Sequence, residues 1–278
     1  MDVKRIAKWL NDVDGWLDPP GCETVFTPHP GNEHSCCTVG IVHEHRFAFY
    51  YWALFSREKD KLGPRPALIT LDSHDDVGVP SEVNVNDLDN LQIGNRTELG
   101  LFAWLRLRRL NDGHILPALY LDFFSDVYVL MNNNEDPEDF KLSYEYQQQQ
   151  DRNGNMHTVK YYQNMDQLLR DLPQDNSVFL DIDLDFFTNC NFEKGSYLGL
   201  KSDSFISSFL SIDGPLLGAI LRRIEGLTIA LEPSCCGGLM NSLHALDILN
   251  REFFDSTLCT HDCKWRIIKR ECLHFHTK

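Results

Sequence analysis

The chain has 278 residues, 42% of them hydrophobic, with a formal net charge of −15. That length suits one large α/β unit, and the acidic balance excludes binding built on Lys and Arg neutralising nucleic-acid phosphates or anionic lipid headgroups. The first residues lack a signal peptide's apolar core and no apolar run reaches membrane-spanning length, so a cytoplasmic location with the nine cysteines reduced is expected.

Residues 1–18 carry Ile6, Trp9, Leu10, Val13, Trp16 and Leu17 at helical spacing, ending before Pro19-Pro20. A loop rich in Pro, Gly and His is expected to about Ser35, then a strand over Cys37–Val42 and an aromatic helix from Phe47 to Phe55. A buried strand at Ala67–Leu71 precedes a loop through Asp87-Leu88-Asp89 and a helix near Thr97–Leu110. Asp126–Leu130 reads as another strand. Residues 139–162 alternate around four glutamines and an Asn153-Gly154 turn, which predicts a solvated β-hairpin insertion. Further on come a helix at Met165–Leu172, a strand at 178–185, a helix around Pro215–Gly226, a strand at Leu227–Leu231 and a helix over Leu239–Phe254. Strands alternating with helices predict a single domain, 1–278, with a mostly parallel sheet covered on both faces. The tail groups Cys259, His261, Cys263, Cys272, His274 and His276, but without the paired two-residue gaps of a structural zinc site. Buried thiols and surface histidines are the simpler reading there.

Two acidic clusters stand out. Asp72-Ser73-His74-Asp75-Asp76 and Asp181-Ile182-Asp183-Leu184-Asp185 each follow apolar strand residues, at the strand end where open α/β sheets place ligands. No Lys or Arg lies between Arg65 and Arg96, nor between Arg170 and Lys194. Buried like charges must be paired, protonated or coordinated. If the chain stays extended past Leu71, Asp72, His74 and Asp76 face one point. Asp183 and Asp185 share that alternate spacing, so two strand ends can meet across a pair of divalent ions. The bland reading of either cluster alone is a polar turn capping a helix.

Leu71-Asp72-Ser73-His74-Asp75-Asp76 together with Phe179–Phe187 (Phe-Leu-Asp-Ile-Asp-Leu-Asp-Phe-Phe) resembles the arginase/ureohydrolase superfamily. That superfamily's signatures read Asp-Ala-His-x-Asp and Asp-x-Asp. The closer likeness is to the peptide arginases, which convert arginine side chains of ribosomally made precursor peptides to ornithine. The resemblance runs from about residue 37 to 238. It implies a three-layer arginase-like fold and two Mn²⁺ ions, with other divalent ions able to use the same ligands. Asp72 and Asp183 would bridge the ions, His74 and Asp185 would complete one shell, and Asp76 would bind the other while contacting the nucleophile. The family's upstream Gly-Gly-Asp-His is absent. Ile41-Val42-His43-Glu44-His45 stands in its place, with His45 the matching ligand and His43 a supporting residue or proton shuttle. Asp181 departs from the ureohydrolase serine, matches the subgroup and reads as a support for a ligand. Glu232, at the end of the 227–231 strand, would pair with the substrate guanidinium; the alternative is a capping or surface glutamate. His114 and His244 are remote candidates for the general acid, with a structural role the simpler reading. Cys235 and Cys236 would line the wall.

The function implied is release of urea from arginine in a precursor peptide, by an enzyme with Asp76, Glu232 and His43 as its catalytic residues. The alternatives are an agmatinase-like enzyme of small molecules, a metal-dependent deacetylase, or a non-catalytic peptide-binding module with a structural metal.

Overall fold

The computed structural model describes residues 18–59, 64–132, 140, 147–191 and 196–266. The helix expected over residues 1–18 and the last three residues of the cysteine and histidine tail lie outside them. In chain order the strands are β1 (Glu23–His29), β2 (Asn32–Val42), β3 (Ala67–Asp72), β4 (Val127–Met131), β5 (Gln147–Gln150), β6 (Met156–Tyr162), β7 (Val178–Asp183), β8 (Thr188–Asn191), β9 (Ser196–Leu200) and β10 (Ile224–Ala230). The helices are α1 (Ala48–Lys59), α2 (Glu82–Asp89), α3 (Arg96–Leu105), α4 (Ile115–Tyr120), α5 (Met165–Asp171), α6 (Asp203–Phe209), α7 (Pro215–Ile220) and α8 (Leu239–Phe254).

Eight strands form one sheet in the order β1-β2-β10-β7-β3-β4-β6-β5, and β8 and β9 pair separately. The six inner strands are parallel and the two edge strands antiparallel. Each face of the sheet is covered by its own helices, because strand side chains alternate between faces. Ile69, Leu180, Ile182 and Ile229 pack with Leu168 of α5, Leu217 of α7 and Ile248 of α8. Leu68, Val129, Phe179 and Ala230 pack with Phe49 and Trp52 of α1, Phe102 of α3 and Leu119 of α4. Each such large apolar side chain contributes about 1.5–3 kcal/mol on burial.

α1 sits unusually close to the sheet. A Cβ on Gly40 would lie 2.4 Å from the Tyr51 ring and one on Gly226 would lie 2.3 Å from the Phe55 ring. Only glycine at these two strand positions lets the helix dock, and that docking fixes the turn leading into it, which contains His45.

Several sequence expectations need correction. The segment read as a loop to Ser35 is the β1–β2 hairpin; Pro28 hid it, but proline is tolerated on an edge strand. Asp87-Leu88-Asp89 ends helix α2, capped by the Ser81 side chain. The helix expected to Gly226 stops at Ile220, and Gly226 lies inside β10. The hairpin is not an insertion. β6 joins the main sheet parallel to β4, and the glutamines themselves form the exposed edge strand β5. Its expected partner strand, 141–146, lies outside the described residues.

Candidate metal centre

Four neighbouring parallel strands, β2, β10, β7 and β3, bring the candidate residues together at their carboxyl ends. His43 and His45 follow β2, Glu232 follows β10, Asp181 and Asp183 close β7, and Asp72 closes β3. Pairing continues past the strands: the amides of Leu231 and Glu232 donate to the carbonyls of Val42 (2.8 Å) and His43 (3.2 Å). Asp72, Asp76, Asp181, Asp183 and Asp185 are all buried. Among the described residues, the basic side chains within ion-pair reach of these acids are the imidazoles of His45, His74 and His114, and of these burial and the neighbouring His45 keep His114 from taking up a proton.

His45 organises one half of the cluster. Its Nε2 meets Asp181 Oδ2 at 2.7 Å. Asp181 also accepts from Thr70 Oγ1 at 2.7 Å and from Thr228 Oγ1. Asp181 shares β7's inner face with Asp183 by the period of two, so it supports the ring from behind. The other nitrogen, Nδ1, then faces Asp76 Oδ2 at 2.8 Å, Asp183 Oδ2 at 3.1 Å and Asp72 Oδ2 at 3.2 Å. None of these makes a well-directed hydrogen bond to Nδ1. Three acids crowded off the hydrogen-bond line of one nitrogen form the kind of donor set that a shared cation draws together.

His74 organises the other half. Its Nδ1 lies 2.9 Å from Asp185 Oδ2 and 3.5 Å from Asp72 Oδ1. Asp72 therefore presents one oxygen to the His45 group and the other to the His74 group. Asp183 Oδ1 accepts from the Asp185 amide at 3.0 Å, and Ser73 and Thr188 hydroxyls hold the Asp185 carbonyl at 3.0 and 2.7 Å. Asp72, His74 and Asp76 do not reach the cluster along an extended strand. β3 ends at Asp72, Asp76 adopts a left-handed φ of 49°, and the turn sends His74 to one half and Asp76 to the other.

Electrostatics show what this arrangement costs. Burial and the Asp72 charge push Asp76 well above the usual carboxylate range. Burial and Asp185 do the same to Asp183, and burial and Asp72 raise Asp185. Burial would also raise Asp72, but His45 and His74 hold it ionised. Burial opposes charge on His45, yet Asp181 and Asp183 keep it protonated well above the ordinary histidine value; for His74, Asp185 and Asp72 likewise outweigh burial. Without a metal the cluster holds protons. A divalent ion competes for the same lone pairs. The donor set fits such an ion: carboxylate oxygens and imidazole nitrogens suit hard and borderline divalent metals, and His45 Nδ1, Asp72 Oδ2 and Asp185 Oδ2 are buried without hydrogen bonds.

Glu232 lies beside the cluster with a left-handed φ of 35°. Its Oε2 accepts from the His45 amide at 2.9 Å, and its Oε1 accepts from Ser234 Oγ at 2.8 Å. Asn111 Nδ2 contacts both oxygens at 2.8 Å. Glu232 faces a cavity of about 370 Å³ lined also by His43, Trp104, Arg109, Asn111 and Ser234. His43 is exposed at its mouth, whereas Arg46 is turned to Glu44 (2.6 Å) and to the carbonyls of Trp104 and Leu107.

Sequence reading missed three supports of this site. Thr70 and Thr228 looked like ordinary strand residues, and Asn111 belonged to no motif. It gave His114 only as an outside candidate for the general acid; the ring is fully buried against His45, with centroids 4.4 Å apart. Its other candidate, His244, is a surface residue paired with Asp203 at 2.9 Å. Cys235 does reach the His74 and Asp185 group, but burial, then Asp185 and Glu232, push its thiol up to about 12. That leaves it a poor nucleophile at neutral pH. None of the described helices is long and apolar enough to cross a membrane. Comparison with protein-family models and with curated proteins found no match to this chain.

Proposed function

We propose that this chain is a binuclear metal hydrolase of the peptide arginase type, with an arginase-like fold, converting arginine side chains in a ribosomally made precursor peptide to ornithine and urea. The observation that carries the reading is the division of Asp72: one oxygen faces His45 and the other faces His74. His45, Asp72, Asp76 and Asp183 would hold one ion; Asp72, His74, Asp183 and Asp185 would hold the second. Two divalent ions, manganese in the first instance, supply a water acidic enough to attack at neutral pH and a positive field for the charge that develops.

The chain's own residues do the rest. Asp181 fixes the His45 tautomer, with Nε2–H donated backwards and Nδ1 free to ligate. Asp76, held at the cluster by its left-handed turn, would hydrogen-bond the attacking water and accept its proton. Glu232 offers a carboxylate to the planar guanidinium fork, and the guanidinium replaces the Asn111 amide that occupies both oxygens in this structure. His43 at the mouth is placed to pass protons between the cavity and solvent. Exposed Arg109 on the rim repels a cation, so it suits a carbonyl or carboxylate of the chain that bears the arginine.

The first test is elemental analysis after manganese reconstitution, comparing wild type with Asp183→Ala. Two ions per chain, absent from the variant, are expected, followed by urea release from arginine peptides. One ion or none in wild type overturns the mechanism. Glu232→Gln is expected to keep both ions and lose turnover. A fully active Glu232→Gln would refute the guanidinium assignment while leaving the metal centre intact. Assay against free arginine, agmatine and arginine peptides separates the small-molecule alternative.

A further inference from the structure

We propose that His114 is an additional ligand of the metal centre, joining His45 and Asp76 through Nε2, beyond the six residues that the two motifs and His45 provide. This rests on the metal-centre reading above. His114 is fully buried, and neither ring nitrogen makes a well-directed hydrogen bond; the one protein group acting on the ring by hydrogen bonding is the Asn111 backbone. A buried polar atom left unpaired costs about 1–3 kcal/mol; one backbone carbonyl can meet only one nitrogen, so the ring calls for a further partner that protein groups do not supply. Its faces are accounted for: one stacks on Trp52 at 5.2 Å and its edge meets His45 at 4.4 Å. Its two nitrogens are not both accounted for.

Distance identifies the partner. His114 Nε2 lies 3.7 Å from Asp76 Oδ2, too far for a hydrogen bond. Two donors each about 2.1 Å from one ion lie about 3.0 Å apart at right angles and about 4.2 Å apart when opposed, and the observed separation falls between. The ligand atoms of His45, Asp76 and His114 all lie within 4.8 Å of one another. Asp76 Oδ2 is also the oxygen nearest His45 Nδ1, at 2.8 Å, so His114 converges on the His45 half of the centre and not on the His74 half.

The fold secures this approach. Val77 and Gly113 form an antiparallel bridge, and the Gly78 amide donates to the Asp112 carbonyl at 2.5 Å. A Cβ on Gly78 would lie 2.4 Å from that carbonyl oxygen, so only glycine permits the contact. The bridge ties the Asp76 turn directly to the residues preceding α4, of which His114 is the last.

The test uses the full chain reconstituted with cobalt(II), whose paramagnetism shifts the ring N–H proton resonances of coordinated histidines out of the protein envelope. Three shifted rings are expected in wild type and two in His114→Phe, which keeps an aromatic ring against Trp52. Chelator competition should show one of the two manganese ions held at least tenfold more weakly in the variant, while the metal-free variant melts no lower than wild type. If His114→Phe fails to fold, His114→Gln is measured in the same way. A wild type that binds two ions with two shifted rings, and a variant that binds both ions with unchanged affinity, overturns the inference and leaves the metal-centre reading standing. A wild type that binds no divalent ion overturns both.

Discussion

Among the described residues, one cluster of acids and histidines lies at the strand ends and another near the β5–β6 turn, and they differ in how far their polar atoms are already bonded. Asp122, Asp151 and His157 near the β5–β6 turn bring their ligand atoms as close together as the strand-end cluster does. Yet Asp151 accepts from the amides of Asn153 and Asn155 and from Asn155 Nδ2, all at 2.8 Å. Asp122 receives Arg65 Nε at 3.2 Å, and His157 is bound to the Ser125 carbonyl. At the strand ends, by contrast, His45 Nδ1, Asp72 Oδ2, Asp185 Oδ2 and both nitrogens of His114 have no well-directed hydrogen bond. Proximity of acids therefore does not tell the two clusters apart. Unmet bonding capacity in buried groups does.

The comparison breaks most readily at the shared acid. Asp72→Ala should lose both ions, with affinity down more than about 100-fold, whereas Asp151→Ala should load metal like wild type; elemental analysis of the two side by side decides. Asp181→Asn touches no ion in this reading but unlocks His45. It should weaken metal binding by about 10–100-fold, read by calorimetric titration, with the far-UV spectrum unchanged. In the other cluster, Asp151→Ala strands two backbone amides and should cost about 1–3 kcal/mol in denaturant unfolding, with no effect on metal stoichiometry.

The finest test is the pH dependence of metal-free stability, where Asp76 and Asp151 carry opposite signs. Asp76 has a raised pKa in the fold. Its contribution is present below the unfolded value of about 4 and is lost as pH rises. Asp76→Asn should therefore melt higher than metal-free wild type by about 2–4 °C per kcal/mol relieved, with a larger gap at pH 8 than at pH 5. Asp151 is lowered to about 2 by the Asn155, His157 and Asn153 hydrogen bonds, which outweigh burial. Its contribution is present above about 4 and is lost as pH falls towards 2. Asp151→Asn should flatten the acid limb of the stability curve and leave the alkaline limb alone.

The elements that sequence reading located well are those whose signal is local. β3 and β7 announce themselves by unbroken apolar runs ending in acids, and α8 by a clear apolar stripe; its range, Leu239–Phe254, matches the expectation. β1 was illegible because its stability comes from pairing with β2, and a proline concealed its pattern. β6 was legible as a strand, but its place beside β4 depends on a long-range pairing that no local pattern encodes. The same division holds at the centre. Asp72, His74, Asp76, Asp183 and Asp185 sit in short motifs and do converge, though for Asp72, His74 and Asp76 it is a turn after β3 and not the alternate spacing of an extended strand that brings them there. Asn111 and His114 come from the connection between α3 and α4, and their approach depends on the Val77–Gly113 bridge. The strand threonines that hold Asp181 differ from core threonines only in what faces them across the sheet.

The position of β10 between β2 and β7 has a consequence for the growing chain. The β1–β2 hairpin and the β7-β3-β4-β6 block can each assemble as the chain emerges, and α1 can already pack Phe55 on Phe179, but no strand pairing joins the two pieces until residues 224–230 arrive. Until then β2 and β7 each offer a bare inner edge, the kind of template that recruits other chains. His45 rides on the first piece and the aspartates on the second. Until β10 arrives the sheet stays open between the histidine and the aspartates, and any pause before it leaves two sticky edges for a chaperone to guard.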